Sequence, residues 1–262
     1  MGSGPRLDPE RRRALAEAYL EGGGSYDRVR PGYPAELADW VVADLAPRAG
    51  VPSVRAADLG AGTGIFTALL VDRGVEVRAV DPSEDMLAVL ALRLPGVRCL
   101  TTTAEETGLP DGSMDLLTIA QAWHWCDHPA TLLEAARVLT PGGRLALLWN
   151  QLDVSVPWVH RLSRIMHAGD VFTPTYRPEL GVAFGEVEHL VMPWAQELTV
   201  PDVVELARSR SFYRRAPEAL RQRVESNLRW YLLNYLAFPD DATLRIPYTT
   251  HAWRAQLVSS WI

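Results

Sequence analysis

Ala57-Asp58-Leu59-Gly60-Ala61-Gly62-Thr63-Gly64 carries a short apolar run straight into a G-x-G-x-G turn, and Ile65–Arg73 behind it has helical spacing. Strand, glycine turn and helix in that order let backbone approach a ligand closely, because glycine has no side chain to hold it off. Further on, Val80-Asp81-Pro82-Ser83 sets a carboxylate at the end of the next apolar run, seventeen positions past Gly64. A carboxylate so placed accepts hydrogen bonds from ribose hydroxyls, so a nucleoside-bearing ligand is expected. A pyrophosphate-binding fingerprint would read G-x-G-x-x-G, whereas position 65 here is Ile. That departure disfavours a nicotinamide dinucleotide.

Outward from the turn, short aliphatic runs alternate with amphipathic stretches of ten or more residues, the mark of βαβ units and a parallel sheet. Val54–Leu59, Val75–Val80, Val97–Thr101, Met114–Ala120 and Arg144–Trp149 read as strands, with helices at Ile65–Arg73, Glu84–Leu94 and Ala130–Leu139. Ser83 is placed to cap the second helix, and Pro141-Gly142-Gly143 reads as an abrupt stop to the third. Ahead of this block come an amphipathic helix at Arg11–Leu20, a glycine-rich hinge at Glu21–Ser25 and a helix at Tyr33–Leu45. Behind it, Trp158–Ala168, Val200–Arg210 and Glu218–Leu236 read as helices, and Val187–Met192 and Leu244–Trp253 as an antiparallel pair at the sheet edge. The expected fold is α/β, a Rossmann-like, doubly wound, mostly parallel seven-stranded sheet with an antiparallel edge strand. Residues 1–50 would form an N-terminal helical cover and residues 51–262 the main domain, with lid insertions at about 151–180 and 198–240.

Composition narrows the chemistry. The 262 residues carry 26 basic and 32 acidic side chains, a formal charge of −6, so no overall positive field draws in a phosphate backbone. Every basic residue is arginine, which removes lysine Schiff bases, P-loop lysines and Tyr-x-x-x-Lys reductase dyads. Cys99 and Cys126 are too few for a disulfide framework, and no apolar stretch reaches the length of a membrane span. A cytoplasmic protein without a membrane or nucleic-acid partner is expected; the oligomeric state is left open.

Four ordered stretches resemble class I S-adenosylmethionine (SAM)-dependent methyltransferases: the glycine turn preceded by Asp58, the Asp81 segment, Ala104-Glu105-Glu106-Thr107-Gly108-Leu109-Pro110 with the acidic run into Met114, and Val138-Leu139-Thr140-Pro141-Gly142-Gly143-Arg144-Leu145. Tyr26-Asp27-Arg28-Val29-Arg30-Pro31-Gly32-Tyr33-Pro34, Ala120-Gln121-Ala122-Trp123-His124-Trp125, Ser209-Arg210-Ser211-Phe212 and Ile246-Pro247-Tyr248-Thr249-Thr250 are similar to the trans-aconitate methyltransferase-like (methyltransferase type 11) small-molecule group. The resemblance implies SAM as cofactor, S-adenosylhomocysteine as product and a small-molecule acceptor. The resemblance does not name the substrate; for this chain a carboxylate or hydroxyl oxygen is expected ahead of nitrogen or carbon, in a setting of specialised metabolism.

The same resemblance distributes roles. Asp58 would meet the methionine ammonium while Gly60, Gly62 and Gly64 frame that tail; Asp81 and Pro82 would hold the ribose side, and Met86, Ala104 and Glu105 would border the adenine. Gln121 would lie near the cofactor, and Tyr26, Arg30 and Tyr33 would close over its methionine end. Trp123, Trp125, Trp158, Tyr213, Trp230 and Tyr231 would hold the acceptor, with His124, or His128 behind it, taking a proton. Each has a plain structural alternative: Asp58 stabilising its turn, Asp81 capping a helix, Met86 filling the core, Glu105 solvated at a helix start, the histidine between two tryptophans simply packed. His124, Cys126, Asp127 and His128 lack a second ligand group at metal spacing, so no metal is expected. Two other classes stay open: a SAM-binding scaffold or sensor without turnover, and a nicotinamide-dependent oxidoreductase. A DNA adenine or cytosine methyltransferase would carry an Asn- or Asp-Pro-Pro-aromatic tetrad where this chain has Gln121-Ala122-Trp123-His124.

Overall fold

The computed structural model describes residues 29–168 and 175–258, so the expected helix at Arg11–Leu20, the Glu21–Ser25 hinge and Tyr26 lie outside the described residues. Among those described, β1 (Arg55–Leu59), β2 (Glu76–Asp81), β3 (Arg98–Thr101), β4 (Met114–Ala120), β5 (Leu139–Leu152), β6 (Glu188–Thr199) and β7 (Thr243–Gln256) form one sheet in the order β3-β2-β1-β4-β5-β7-β6. The pairs β1–β2, β2–β3, β1–β4 and β4–β5 are parallel. β4 is buried from Met114 to Ile119, as its unbroken apolar reading demands of a strand covered on both faces. Strand order reverses between β1 and β4, which opens a crevice beyond their carboxyl ends.

β7 runs against β5: Leu257 N–H donates to Gly143 O at one end, and Asp153 N–H donates to Pro247 O at the other. It runs against the segment leading into β6 as well, since Gly185 N–H donates to Gln256 O and Val258 N–H to Ala183 O. The last of the seven strands in sequence is thus inserted between β5 and β6, and β6 forms the edge.

The chain divides into two compact units. The sheet unit comprises Tyr33–Trp149, Arg177–Met192 and Thr250–Ile262. It holds α1 (Ala35–Val42), α2 (Ile65–Val71), α3 (Glu84–Arg93) and α4 (His128–Val138). Leu37 and Val41 of α1 and Phe66 and Leu70 of α2 pack with Ala56, Val77, Leu116 and Leu148 of the strands, whereas Leu87 and Leu90 of α3 cluster with Ala79. Arg144 is buried in β5, where its Nη1 donates to Val41 O and Ala43 O at 2.8 and 2.7 Å. That arginine satisfies carbonyls which the end of α1 would otherwise strand, and its charge opposes the helix dipole.

The second unit comprises Met1–Gly32, Asn150–Tyr176 and Pro193–Thr249. α5 (Pro157–Ile165), α6 (Val200–Arg208), α7 (Ser211–Arg215) and α8 (Glu218–Arg229) surround a core that includes Val159, Leu162, Val203, Leu206, Leu228 and Tyr231. No helix among the described residues is long and apolar enough to cross a membrane.

Several boundaries depart from the sequence expectation, and β6, expected to end at Met192, runs on to Thr199. β5 starts at Leu139 rather than Arg144, and α4 passes into it without a loop. Pro141-Gly142-Gly143 does not end an element; it bulges out as pairing jumps from Met114 opposite Leu139 to Leu116 opposite Arg144, and its backbone bonds Leu257 instead. α4 begins at His128, capped by the Asp127 carboxylate, which accepts from Ala130 N–H. The single helix expected over Glu218–Leu236 converts at Trp230 to a π-helix running to Tyr235, where Leu236 N–H reaches back five residues to Tyr231 O. Within this wider turn Tyr231 is buried, and its hydroxyl donates to Trp158 O at 3.0 Å.

Candidate functional site

Backbone bonds fasten the start of the glycine turn to the end of β2. Gly60 N–H and Ala61 N–H both donate to Val80 O, at 2.7 and 3.0 Å. Gly60 adopts φ +70°, and a Cβ on it would lie 2.4 Å from Ala122 Cβ, so only glycine lets the turn close against the exit of β4. Gly64 caps α2 at φ +82°, and a Cβ there would meet Leu90 Cγ at 2.7 Å, so its lack of side chain sets how near α2 comes to α3. Beside Gly62 no atom of the described residues comes within 4 Å of where a Cβ would stand.

Asp81 ends β2 and ties the turn from the other side. Its Oδ2 accepts from Gly62 N–H and its Oδ1 from Ser83 N–H, both at 2.9 Å. Burial raises its pKa, and these two N–H groups act against that rise. A carboxylate offers about four lone-pair sites, so two bonds do not exhaust it. The capping of α3 belongs to Ser83, whose hydroxyl accepts from Met86 N–H at 3.3 Å. Met86 is buried in the first turn of α3, and Pro82 is exposed beside it.

Asp58 lies under the turn and is only 1% exposed. Its Oδ1 accepts from the Thr118 hydroxyl and its Oδ2 from the Thr67 hydroxyl, both at 2.7 Å. Burial pushes its carboxyl pKa up to about 6 against those bonds, and the charge of Asp81 adds to the rise. Tyr33 stands edge-on to Phe66 of α2, ring centres 5.3 Å apart.

β4 exits through a strained residue. Gln121 takes φ +58°, outside the range most side chains adopt, while its N–H donates to Leu148 O at 2.9 Å. A short 3-10 turn, Trp123–Trp125, follows. His128 lies flat on Trp123 with ring centres 4.0 Å apart, and its Nε2 donates to Trp123 O at 3.0 Å, which closes the loop on itself. His124 sits 4.4 Å from the Trp125 ring and 4.7 Å from that of Trp149, centre to centre. Its Nδ1 is buried with no hydrogen-bond partner among the described residues. Burial first, and the neighbouring His128 second, lower its imidazole pKa to about 3. His124 is therefore neutral at pH 7 and a weak proton acceptor. Glu105 reaches this loop as well, its Oε1 accepting from Asp127 N–H at 2.8 Å, and Ala104 before it is buried.

Within the sheet unit, then, Asp58, the three glycines, Asp81, Glu105, Gln121, Trp123, His124, Trp125 and His128 gather on the loops at the carboxyl ends of β1, β2 and β4 and after β3. Tyr33, Pro82, Met86 and Ala104 also belong to the sheet unit, whereas Arg30, Trp158, Tyr213, Trp230 and Tyr231 belong to the second. There Arg30 Nη2 donates to Ser209 O at 3.0 Å, and the Tyr213 hydroxyl pairs with Glu225. Trp158 takes the Tyr231 bond already described, and Trp230 is 52% exposed. Thr67, Thr118 and Trp149 escaped the sequence reading, and Asp127 entered it only as a candidate metal ligand, not as a helix cap. The only signal for the threonines is a hydroxyl inside apolar runs, Ile65-Phe66-Thr67-Ala68 and Leu116-Leu117-Thr118-Ile119.

Residues 57–147, which hold all of these loops, match the family model described as a methyltransferase domain. Over 247 residues the chain is 39% identical to an uncharacterized methyltransferase of Mycobacterium tuberculosis, covering 94% of this chain and 98% of that one. This chain belongs to the class I SAM-dependent methyltransferases. The methyltransferase is also 28% identical over 218 residues to a malonyl-[acyl-carrier protein] O-methyltransferase of Serratia marcescens, covering 77% of this chain and 78% of that one. Its fold is shared with phosphoethanolamine N-methyltransferase 2 of Haemonchus contortus, solved with S-adenosylhomocysteine, at TM-score 0.51 and 17% identity over 95% of this chain and 58% of that one.

Proposed function

We propose that this methyltransferase transfers the methyl group of SAM to a carboxylate oxygen of a small-molecule acceptor. SAM supplies a methyl already activated on a sulfonium, which an acceptor lone pair displaces in line. The chain's own residues then have to bind, align and exclude water. Asp81 receives the ribose hydroxyls on lone pairs left over from Gly62 and Ser83, and the open space beside Gly62 admits the nucleoside. Ala104, Glu105, Pro82 and Met86 border the base, and Gln121 borders the reacting end. Trp123 and Trp125 offer flat apolar faces to the acceptor.

The observation that carries the choice of a carboxylate is His124. An imidazole held near a pKa of 3 takes a proton poorly at neutral pH. A carboxylate already ionised needs no base, whereas a hydroxyl or ammonium acceptor does. The Serratia relative, named for O-methylation, points the same way.

The test uses purified protein, methyl-labelled SAM and a panel of organic acids, alcohols and amines. Label in an acid that leaves as volatile methanol on mild alkali marks a methyl ester and supports the reading. Alkali-stable label in an alcohol or amine overturns the choice of acceptor, and uptake of SAM without turnover on any acceptor favours a binding scaffold.

A further inference from the structure

Asp58 is a buried carboxylate whose two oxygens are each held by a threonine hydroxyl, and among the described residues no other part of the site is built this way. Thr118 stands directly opposite Asp58 in the β1–β4 pairing, and Thr67 enters from the first turns of α2. Both threonines are fully buried, and each hydroxyl proton is committed to the carboxylate. A threonine in the middle of an apolar strand or helix face costs free energy unless its hydroxyl is bonded, so these two are justified by the carboxylate they hold. They also aim it: both oxygens are fixed between β4 and the first turn of α2, the helix that Gly64 of the glycine turn caps.

We propose that Thr67 and Thr118 are positioning residues which keep the Asp58 carboxylate oriented and ionised beneath the glycine turn, so that the positive amino end of the cofactor is bound only when Asp58 has lost its proton. This rests on the reading of the turn as the SAM site. Hydroxyl donors favour the charged form of a carboxylate, and burial disfavours it. The balance struck here leaves Asp58 titrating near 6, close enough to neutrality for cofactor binding to become proton-linked. The ionisable group acting on Asp58 from a neighbouring strand is Asp81, whose charge opposes ionisation; α2 and β4 contribute the two neutral hydroxyls. A cation above the turn pulls the opposite way, so binding releases the Asp58 proton.

The experiment measures the affinity for S-adenosylhomocysteine, which keeps the amino end and cannot react, between pH 5 and 9. Any alkaline limb belongs to the ligand's own amine, which loses its charge there. The acidic limb should bend near 6, with affinity falling about tenfold per pH unit below it. Thr118→Val should move that bend up by about one unit, while Thr118→Ser, which restores the hydroxyl, should return it. Asp58→Asn should abolish the bend, and Asp81→Asn should leave one. Calorimetry of the unmutated protein at pH 6 in two buffers of unequal ionisation enthalpy gives an answer even if Thr118→Val fails to fold: a released proton supports the proposal. No proton release, or the same bend with Val as with Thr at 118, overturns it. Absence of S-adenosylhomocysteine binding at every pH would instead overturn the assignment of the site itself.

Discussion

Asp81 and Asp58 are two buried acids with different duties. Asp81→Ala removes the acceptor of the Gly62 and Ser83 N–H groups, and cofactor affinity should fall by about 1–3 kcal/mol, measured by calorimetry with S-adenosylhomocysteine. Asp58→Asn should do two opposite things. In the unfolded chain Asp58 ionises at about 3.9, and in the fold at about 6. Between those values the folded state holds a proton that the unfolded state has released, so stability falls as pH rises through the window and the penalty is complete above it. The Asn variant should therefore melt higher at pH 7, by on the order of 2–3 kcal/mol, with the advantage shrinking toward pH 4, and should lose cofactor affinity. Thermal melts at the two pH values check the sign. His124, neutral down to about pH 3, should leave no inflection in the rate near 6.5; one that disappears in His124→Gln would make it a base after all.

At the scale of elements, single side chains hold helix ends. Asp127→Ala removes the cap of α4 and should cost about 1 kcal/mol in denaturant unfolding. Arg144→Leu strands the Val41 and Ala43 carbonyls at the end of α1 and should cost about 1–3 kcal/mol, detectable as a lowered midpoint at unchanged slope. The elements legible in the sequence were those whose apolar pattern belongs to one environment, such as β1, β2 and β4. β5 was clipped because Pro141-Gly142-Gly143 carries a local stop signal that pairing with a residue more than a hundred positions away overrides. Asp127 drew notice as one of four polar residues with ligand chemistry, which hid its ordinary use as a cap. The switch from α8 to the π-helix at Trp230 has no local propensity signal in the sequence.

For the molecule as a whole, the sequence carried the backbone of the site better than its side-chain network. The glycine turn and Asp81 stand seventeen positions apart and follow from strand–turn–helix grammar. The Thr118 hydroxyl on Asp58 spans sixty positions, and the Arg30 contact with Ser209 spans 179; such pairings exist only once the chain has folded. S-Adenosylhomocysteine at one hundred times its dissociation constant should stabilise the protein by about 2.7 kcal/mol, with added hydrogen-exchange protection at β1, β2 and the loop after β4. Unchanged exchange there would place the ligand elsewhere. The interior position of β7 bears on how the protein is made. Of the seven strands it leaves the ribosome last, so β5 and β6 each wait with an open edge until Thr243–Gln256 has been synthesised. A nascent chain stalled or trimmed before Thr243 would expose two ready templates for intermolecular pairing, and slow translation between β6 and β7 would prolong that hazard.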